Sequence, residues 1–113
     1  MFNSISLKKN RDFIRLYKKG SFYAGKKLVI YVLKNNENIN KIGITSVKNF
    51  GKSVLRNRMR RLVKENYRRL ENTLETGFDI VFLIRKIEKE KIPDFKDIER
   101  EMKFLLKKTG VME

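Results

Sequence analysis

The side chains best suited to chemistry in this sequence are arginines and lysines between positions 48 and 69. Nine basic residues stand in that segment against a single acid, Glu65. Guanidinium groups bind phosphates through forked pairs of hydrogen bonds, and ammonium groups bind them as point charges. A merely solvated surface mixes both signs of charge, because like charges repel. The segment therefore predicts a binding site for a polyanion.

The whole chain is also positively charged, and its charge is unevenly distributed along the sequence. The 113 residues carry 28 Lys and Arg and 13 Asp and Glu, a formal net charge of +15. Residues 1–69 hold 19 of the basic residues and three of the acidic ones, whereas residues 70–113 are nearly balanced. Such a field favours nucleic acid or an anionic membrane as the partner.

Catalysis by protein side chains is not expected. The sequence has no His and no Cys, so the usual general base, thiol nucleophile and soft metal ligands are missing. The carboxylates of the basic region, Asp12, Glu37 and Glu65, are too scattered to suggest a two-metal site. We predict no catalytic residue and no metal site on the protein; any chemistry would belong to a partner such as an RNA with its metal ions.

The elements that must position the basic residues follow from apolar periodicity and from turn residues. We expect helices at 11–19 (capped by Asn10 and stopped by Gly20), about 53–71 and about 94–108, and strands at 27–33, 41–47 and 78–84, with a short extra strand near 21–24. The strands at 27–33 and 41–47 should pair as an antiparallel hairpin. The expected fold is a single α+β domain over 1–113, an α-β-β-α-β-α two-layer sandwich with helices on a small mixed sheet.

The helix at 53–71 is amphipathic. Its predicted apolar stripe consists of Leu55, Met59, Leu62, Val63, Asn66 and Leu70, and its basic side chains outside the stripe are Arg56, Arg58, Arg60, Arg61, Lys64, Arg68 and Arg69. The free N–H groups at the helix start, just after Lys52, also suit a phosphate. A membrane-surface helix is disfavoured, because the core needs the stripe and Trp is absent. A P-loop is disfavoured because Ser46 replaces its first Gly.

A second candidate surface interleaves aromatic with basic residues near the N-terminus. The aromatics are Phe13, Tyr17, Phe22, Tyr23 and Tyr31, and eight Lys and Arg lie among them. Single-stranded nucleic acid is bound in this way, through stacking on rings and neutralisation of the backbone. Core packing is the alternative for such rings. The sequence contains no apolar run long enough to span a membrane and no signal peptide, so we expect a soluble cytoplasmic protein.

The segment Gly51-Lys-Ser-Val-Leu-Arg56-Asn57-Arg58-Met-Arg60-Arg61-Leu-Val-Lys64-Glu65 resembles the signature helix of the bacterial ribonuclease P protein subunit. The segments Leu7-Lys-Lys-Asn10-x-Asp12-Phe13 and Gly77-Phe-Asp79-Ile-Val81 also match, so the resemblance covers about residues 7–106. Lys52, Ser53 and Asn49 depart from the family pattern, and the last of these removes one expected charge.

The resemblance implies a protein cofactor of a catalytic RNA that removes the 5′ leader of precursor tRNA, with Mg²⁺ at the RNA active site. It also implies a fold like the second domain of a ribosomal small-subunit protein, with a left-handed β-α-β crossover. The implied partners are that RNA and precursor tRNA, with no membrane and no obligate protein partner. The implied catalytic-RNA contacts are Lys52, Arg56, Asn57, Arg58, Arg60, Arg61, Lys64 and Arg68. The implied leader cleft consists of Phe13, Tyr17, Tyr31 and Lys48. A ribosomal or general RNA-binding protein remains the alternative, since composition does not separate the two.

Overall fold

A mixed sheet of five strands is the framework of the molecule, of which the computed structural model describes residues 4–88 and 91–113. The elements in chain order are β1 (Ser4–Ser6), α1 (Asn10–Lys19), β2 (Ser21–Ala24), β3 (Leu28–Lys34), β4 (Asn40–Ser46), α2 (Ser53–Leu70), a 3₁₀ turn (Glu71–Thr73), β5 (Phe78–Ile84) and α3 (Phe95–Thr109). The α+β prediction is confirmed, and β2 is the expected extra strand. The sequence patterns did not predict β1.

The strand order is β1-β4-β5-β3-β2, so the predicted hairpin of β3 with β4 is wrong. β5 lies between them, antiparallel to β3 and parallel to β4. Two asparagines of the connecting turn bind the start of β5: the Asn35 amide donates to Asp79 at 3.0 Å, and the Asn40 side chain accepts from the Phe78 N–H at 2.9 Å. Because β5 is apolar on both faces, the hydrophobic effect also favours its central position.

The connection from β4 through α2 to β5 is a crossover between neighbouring parallel strands. It places α2 against the sheet beside the two strands that it joins. The left hand of this crossover stays a prediction.

Helices cover both faces of the sheet, but unequally. The main core lies between one face and the helices α2 and α3, where Ile30, Phe82 and Ile98 are fully buried. On the other face α1 alone packs against the strands, with Leu16 buried against Val81. Alternation along β3 and β5 supplies both faces with apolar side chains.

The observed helix ends lie within one residue of the ends predicted from the sequence. Lys9 takes the N-cap position of α1 without a side-chain cap, so the prediction that Asn10 caps this helix is wrong by one residue. Gly20 is its C-cap, with extended backbone, and a Cβ at this position would lie 2.6 Å from the Leu16 carbonyl oxygen. Asp94 caps α3 and forms a capping box with Asp97.

Candidate nucleic-acid interface

The rotation of α2 about its axis is set by its buried side. Of the predicted apolar stripe, Met59, Val63, Asn66 and Leu70 are buried, and Leu55 and Leu62 are half-buried against the main core. Tyr67 is also buried, although it was not assigned to the stripe. Its hydroxyl shares a 2.6 Å hydrogen bond with Ser4 of β1, and its ring meets Phe82 edge-on. This packing fixes which side of α2 faces solvent.

The solvent side of α2 carries positive charge that forms no ion pair with the described residues. Seven of the eight predicted catalytic-RNA contacts are exposed and Arg56 is half-buried; the seven are Lys52, Asn57, Arg58, Arg60, Arg61, Lys64 and Arg68. The ion pairs within residues 4–88 and 91–113 all lie outside α2, at Lys41–Glu37, Arg100–Asp97 and Lys103–Glu99. Arg69 differs from the other basic residues, since its guanidinium stacks 5.2 Å from the Phe95 ring centre. The unpaired cations leave the face able to bind a polyanion.

The start of α2 is held by the loop that follows β4. Phe50 is buried, and Gly51 adopts φ 108°, a left-handed conformation that favours glycine. Lys52 takes the N-cap position without a side-chain hydrogen bond, so its side chain leaves the N–H groups of the first turn uncapped. Lys52 and Arg58 line a hollow beside exposed Val54.

An open cleft of about 650 Å³ lies on the face of the sheet that α1 only partly covers. All four residues predicted for a single-strand site line it: Phe13, Tyr17, Tyr31 and Lys48. Tyr17 is 40% exposed, and Phe13 and Tyr31 are half-buried. The three rings are therefore neither pure core residues nor free surface residues, and each is partly open to solvent.

The rings of the cleft contact one another in a row. The centroids of Phe13 and Tyr17 lie 6.5 Å apart, and Tyr17 meets Tyr31 nearly edge-on at 4.8 Å. Phe22 continues the row, 5.8 Å from Tyr31. Burial, and secondarily the neighbouring Tyr31, raise the pKa of Tyr17 above its usual value. The fold thus favours the neutral phenol, whose ring is suited to stacking on a base.

Phe13 joins the cleft to the basic face of α2. Its ring packs directly on Gly43, where an added Cβ would lie 2.7 Å from the ring. The same ring lines a second, smaller groove together with Arg60 and Lys64. The two surfaces predicted separately from the sequence are thus continuous across one side chain.

The sequence patterns did not predict five other residues that line the cleft beside the rings: Asn10, Thr45, Ser46, Val47 and Leu83. Thr45 and Leu83 are register partners of β4 and β5, so strand alternation would have put them on one face had the β4–β5 pairing been known. The wrong hairpin prediction therefore hid the floor of the cleft.

Metal ligands do not cluster in the described parts of the chain. Within residues 4–88 and 91–113, no three Asp or Glu side chains come close enough together to hold a metal ion. No helix in the same ranges has both the length and the apolar character needed to cross a membrane.

Known proteins match this chain over nearly its whole length. The Ribonuclease P family model matches residues 1–110. The ribonuclease P protein component of Clostridium botulinum strain 657 is 44% identical over 106 residues, which cover 93% of this chain and 94% of that protein. Among solved structures, the RNase P protein of Thermotoga maritima superposes with a TM-score of 0.82 at 32% identity, covering 92% of this chain and 96% of that one. The Staphylococcus aureus RNase P protein gives 0.80 at 32% identity, with 96% and 97% covered.

Proposed function

The chain belongs to the ribonuclease P protein family, and we propose that it is the protein cofactor of a ribonucleoprotein that removes the 5′ leader of precursor tRNA. In this proposal the chain binds the catalytic RNA with one surface and the leader with another. It contributes binding and positioning, and no side chain that reacts.

The observation that carries the proposal is the continuity of two different surfaces through Phe13. A face of unpaired arginines suits a folded RNA, whose phosphates are held in a fixed array. A cleft with partly open rings suits a flexible single strand, whose bases are free to stack. A folded catalytic RNA together with the single-stranded leader of its substrate matches this pair of surfaces.

The catalytic RNA is assigned to α2 because its basic side chains lie toward solvent and form no ion pair with the described residues. Lys52, Arg56, Asn57, Arg58, Arg60, Arg61, Lys64 and Arg68 are its proposed contacts. The helix fixes the spacing of the backbone positions that carry these side chains, and the planar guanidinium fork loses less freedom per hydrogen bond than an ammonium group does.

The 5′ leader is assigned to the cleft. Phe13, Tyr17 and Tyr31 would stack on its bases, and exposed Lys48 at the rim would neutralise a phosphate. Binding energy gained on the leader is available to the precursor and not to the mature tRNA, so the cleft would favour the substrate over the product.

The hydrolysis itself is proposed to use Mg²⁺ held by RNA phosphates. The sequence offers neither His nor Cys, and the described residues bring no three carboxylates together. Hard oxygen ligands for Mg²⁺ would therefore come from the RNA and its bound water.

The test is recovery of the RNA bound to the tagged chain in its own cells. We expect one structured RNA that cleaves precursor tRNA once recombined with the protein. Recovery of ribosomal RNA alone would instead support the alternative, a ribosomal or general RNA-binding protein. A variant with Lys96, Arg100 and Lys107 of α3 changed to Ala is the matched control for lost charge and should recover the same RNA.

A further inference from the structure

We propose that the ring of Phe22 is an additional stacking site for the leader of precursor tRNA. It would hold a nucleotide that lies farther from the cleavage site than the nucleotides in the cleft. The proposal rests on the proposed function, because it extends the leader path. Phe22 is 64% exposed on β2. A large apolar ring so open to water gains most from a partner that covers it.

The register of the sheet places Phe22 on the cleft side. Phe22 and Tyr31 are directly opposed on β2 and β3, so their side chains share a face. Their ring planes are inclined by 33° with centroids 5.8 Å apart. Phe22 therefore extends the aromatic row beyond Tyr31 rather than pointing toward the main core.

The same register shows why Phe22 is uncovered. Four residues stand side by side across β4, β5, β3 and β2, namely Gly43, Val81, Tyr31 and Phe22. Three side chains of α1 contact the first three of them in turn, namely Phe13, Leu16 and Tyr17. The helix ends at Lys19 and the chain turns into β2, so the ring of Phe22 is left open.

The path of the leader follows from the position of α2. Lys48 stands five residues before α2 and lines the β4 end of the cleft. If α2 binds the catalytic RNA, the cleavage site lies toward this end. Strands are spaced by about 4.8 Å, so β2 is about 14 Å farther across the sheet than β4. Phe22 would therefore meet leader nucleotides remote from the cleavage site.

The strand that carries Phe22 is fixed to the body of the protein. The Glu101 carboxylate of α3 accepts hydrogen bonds from the backbone N–H groups of Lys26, Lys27 and Leu28, at 2.6–3.1 Å. This clamp holds the turn between β2 and β3. Exposed Lys18 and Lys19 precede the strand and are available to neutralise leader phosphates.

The test measures dissociation constants of the reconstituted ribonucleoprotein for precursors whose leaders are shortened one nucleotide at a time. We expect Phe22→Ala to weaken binding of the long-leader precursors about five- to tenfold, near the low end of what base stacking supplies. The loss should disappear below a certain leader length, and mature tRNA should bind as before. Phe22→Trp should restore the affinity, because it restores a stacking ring.

Phe104→Ala is the matched control. Phe104 is another exposed Phe, 58% accessible on α3 with Lys108 over its ring. Its removal should leave the affinity for every leader unchanged.

Three results would overturn the proposal: no loss for Phe22→Ala, an equal loss at every leader length, or a dimer of the free protein that Phe22→Ala abolishes. Failure of the proposed function would look different, since the wild-type particle would then not prefer precursor over mature tRNA.

Discussion

Gly43 and Phe13 show how one missing side chain shapes a binding surface. Because Gly43 has no Cβ, the Phe13 ring can pack directly against the backbone of β4 and still border the cleft. The ring thus has both a packing role and an accessible edge. Replacing Phe13 by Ala would remove both together, so Tyr17, which is 40% exposed, is the cleaner position for a test of the cleft.

Tyr17→Ala should weaken binding of precursor tRNA by the reconstituted particle by about 1–3 kcal/mol, the usual value of one base–ring stack. Mature tRNA should bind as before, since it has no leader. Paired affinity measurements on the two tRNAs check this. Tyr17→Phe keeps the ring and should resemble the wild type. Equal losses for both tRNAs would mean that the ring supports the fold instead.

Tyr67 gives a prediction for alkaline pH. Burial, the largest cause, raises its pKa above the ordinary 10.0, although the polar side chains of Ser4 and Asn40 beside the hydroxyl oppose the shift. A raised pKa means that the fold favours the neutral hydroxyl, so this stabilisation is complete below about pH 10 and is lost as the pH rises further. The free energy of unfolding should therefore fall above pH 10. Tyr67→Phe should flatten that fall, as urea titrations at several pH values would show; an identical pH dependence in both proteins would refute it.

At the scale of elements, the sequence predicted what local periodicity controls and missed what pairing across the chain controls. The apolar stripe of α2 and the extent of α3 follow from spacings of three and four residues. The insertion of β5 between β3 and β4 depends on Asn35 and Asn40 binding a strand some 40 residues away. No short-range pattern reports such a contact, so the hairpin prediction failed and the cleft floor went unseen.

The positive charge of α2 leads to a prediction on the salt dependence of binding. Changing Arg56, Arg58 and Arg60 together to Ala should weaken binding of the catalytic RNA. It should also flatten the plot of log affinity against log salt by roughly 0.7–0.9 unit for each phosphate that the variant no longer neutralises. Filter binding at several salt concentrations measures both, and circular dichroism checks that the fold is intact. The α3 variant that lacks Lys96, Arg100 and Lys107 removes equal charge and should change the slope less. Equal slopes for the wild type and the α2 variant would place the RNA site elsewhere.

At the scale of the whole molecule, charge and topology divide the protein into two parts. Residues 1–69 contain α1, the cleft strands β2–β4 and nearly all of α2, and they carry the excess of positive charge. Residues 70–113 supply the central strand β5 and the covering helix α3, whose charges are nearly balanced. The second part thus completes the core that holds the first part in shape.

This division leads to the last prediction, that the protein freed of RNA does not cleave precursor tRNA at ordinary Mg²⁺ concentrations. The positive part provides sites that bind phosphates and bases, and its few carboxylates, Asp12, Glu37 and Glu65, are separated along the sequence. Positioning without an activated nucleophile gives affinity and no hydrolysis. The measurement is a cleavage assay on protein purified under denaturing conditions, treated to remove RNA and refolded. Adding the RNA recovered from cells should restore cleavage at the 5′ end of the mature tRNA sequence. Cleavage by the RNA-free protein, persisting through repeated purification, would show that the side chains themselves react and would overturn the assignment as a cofactor.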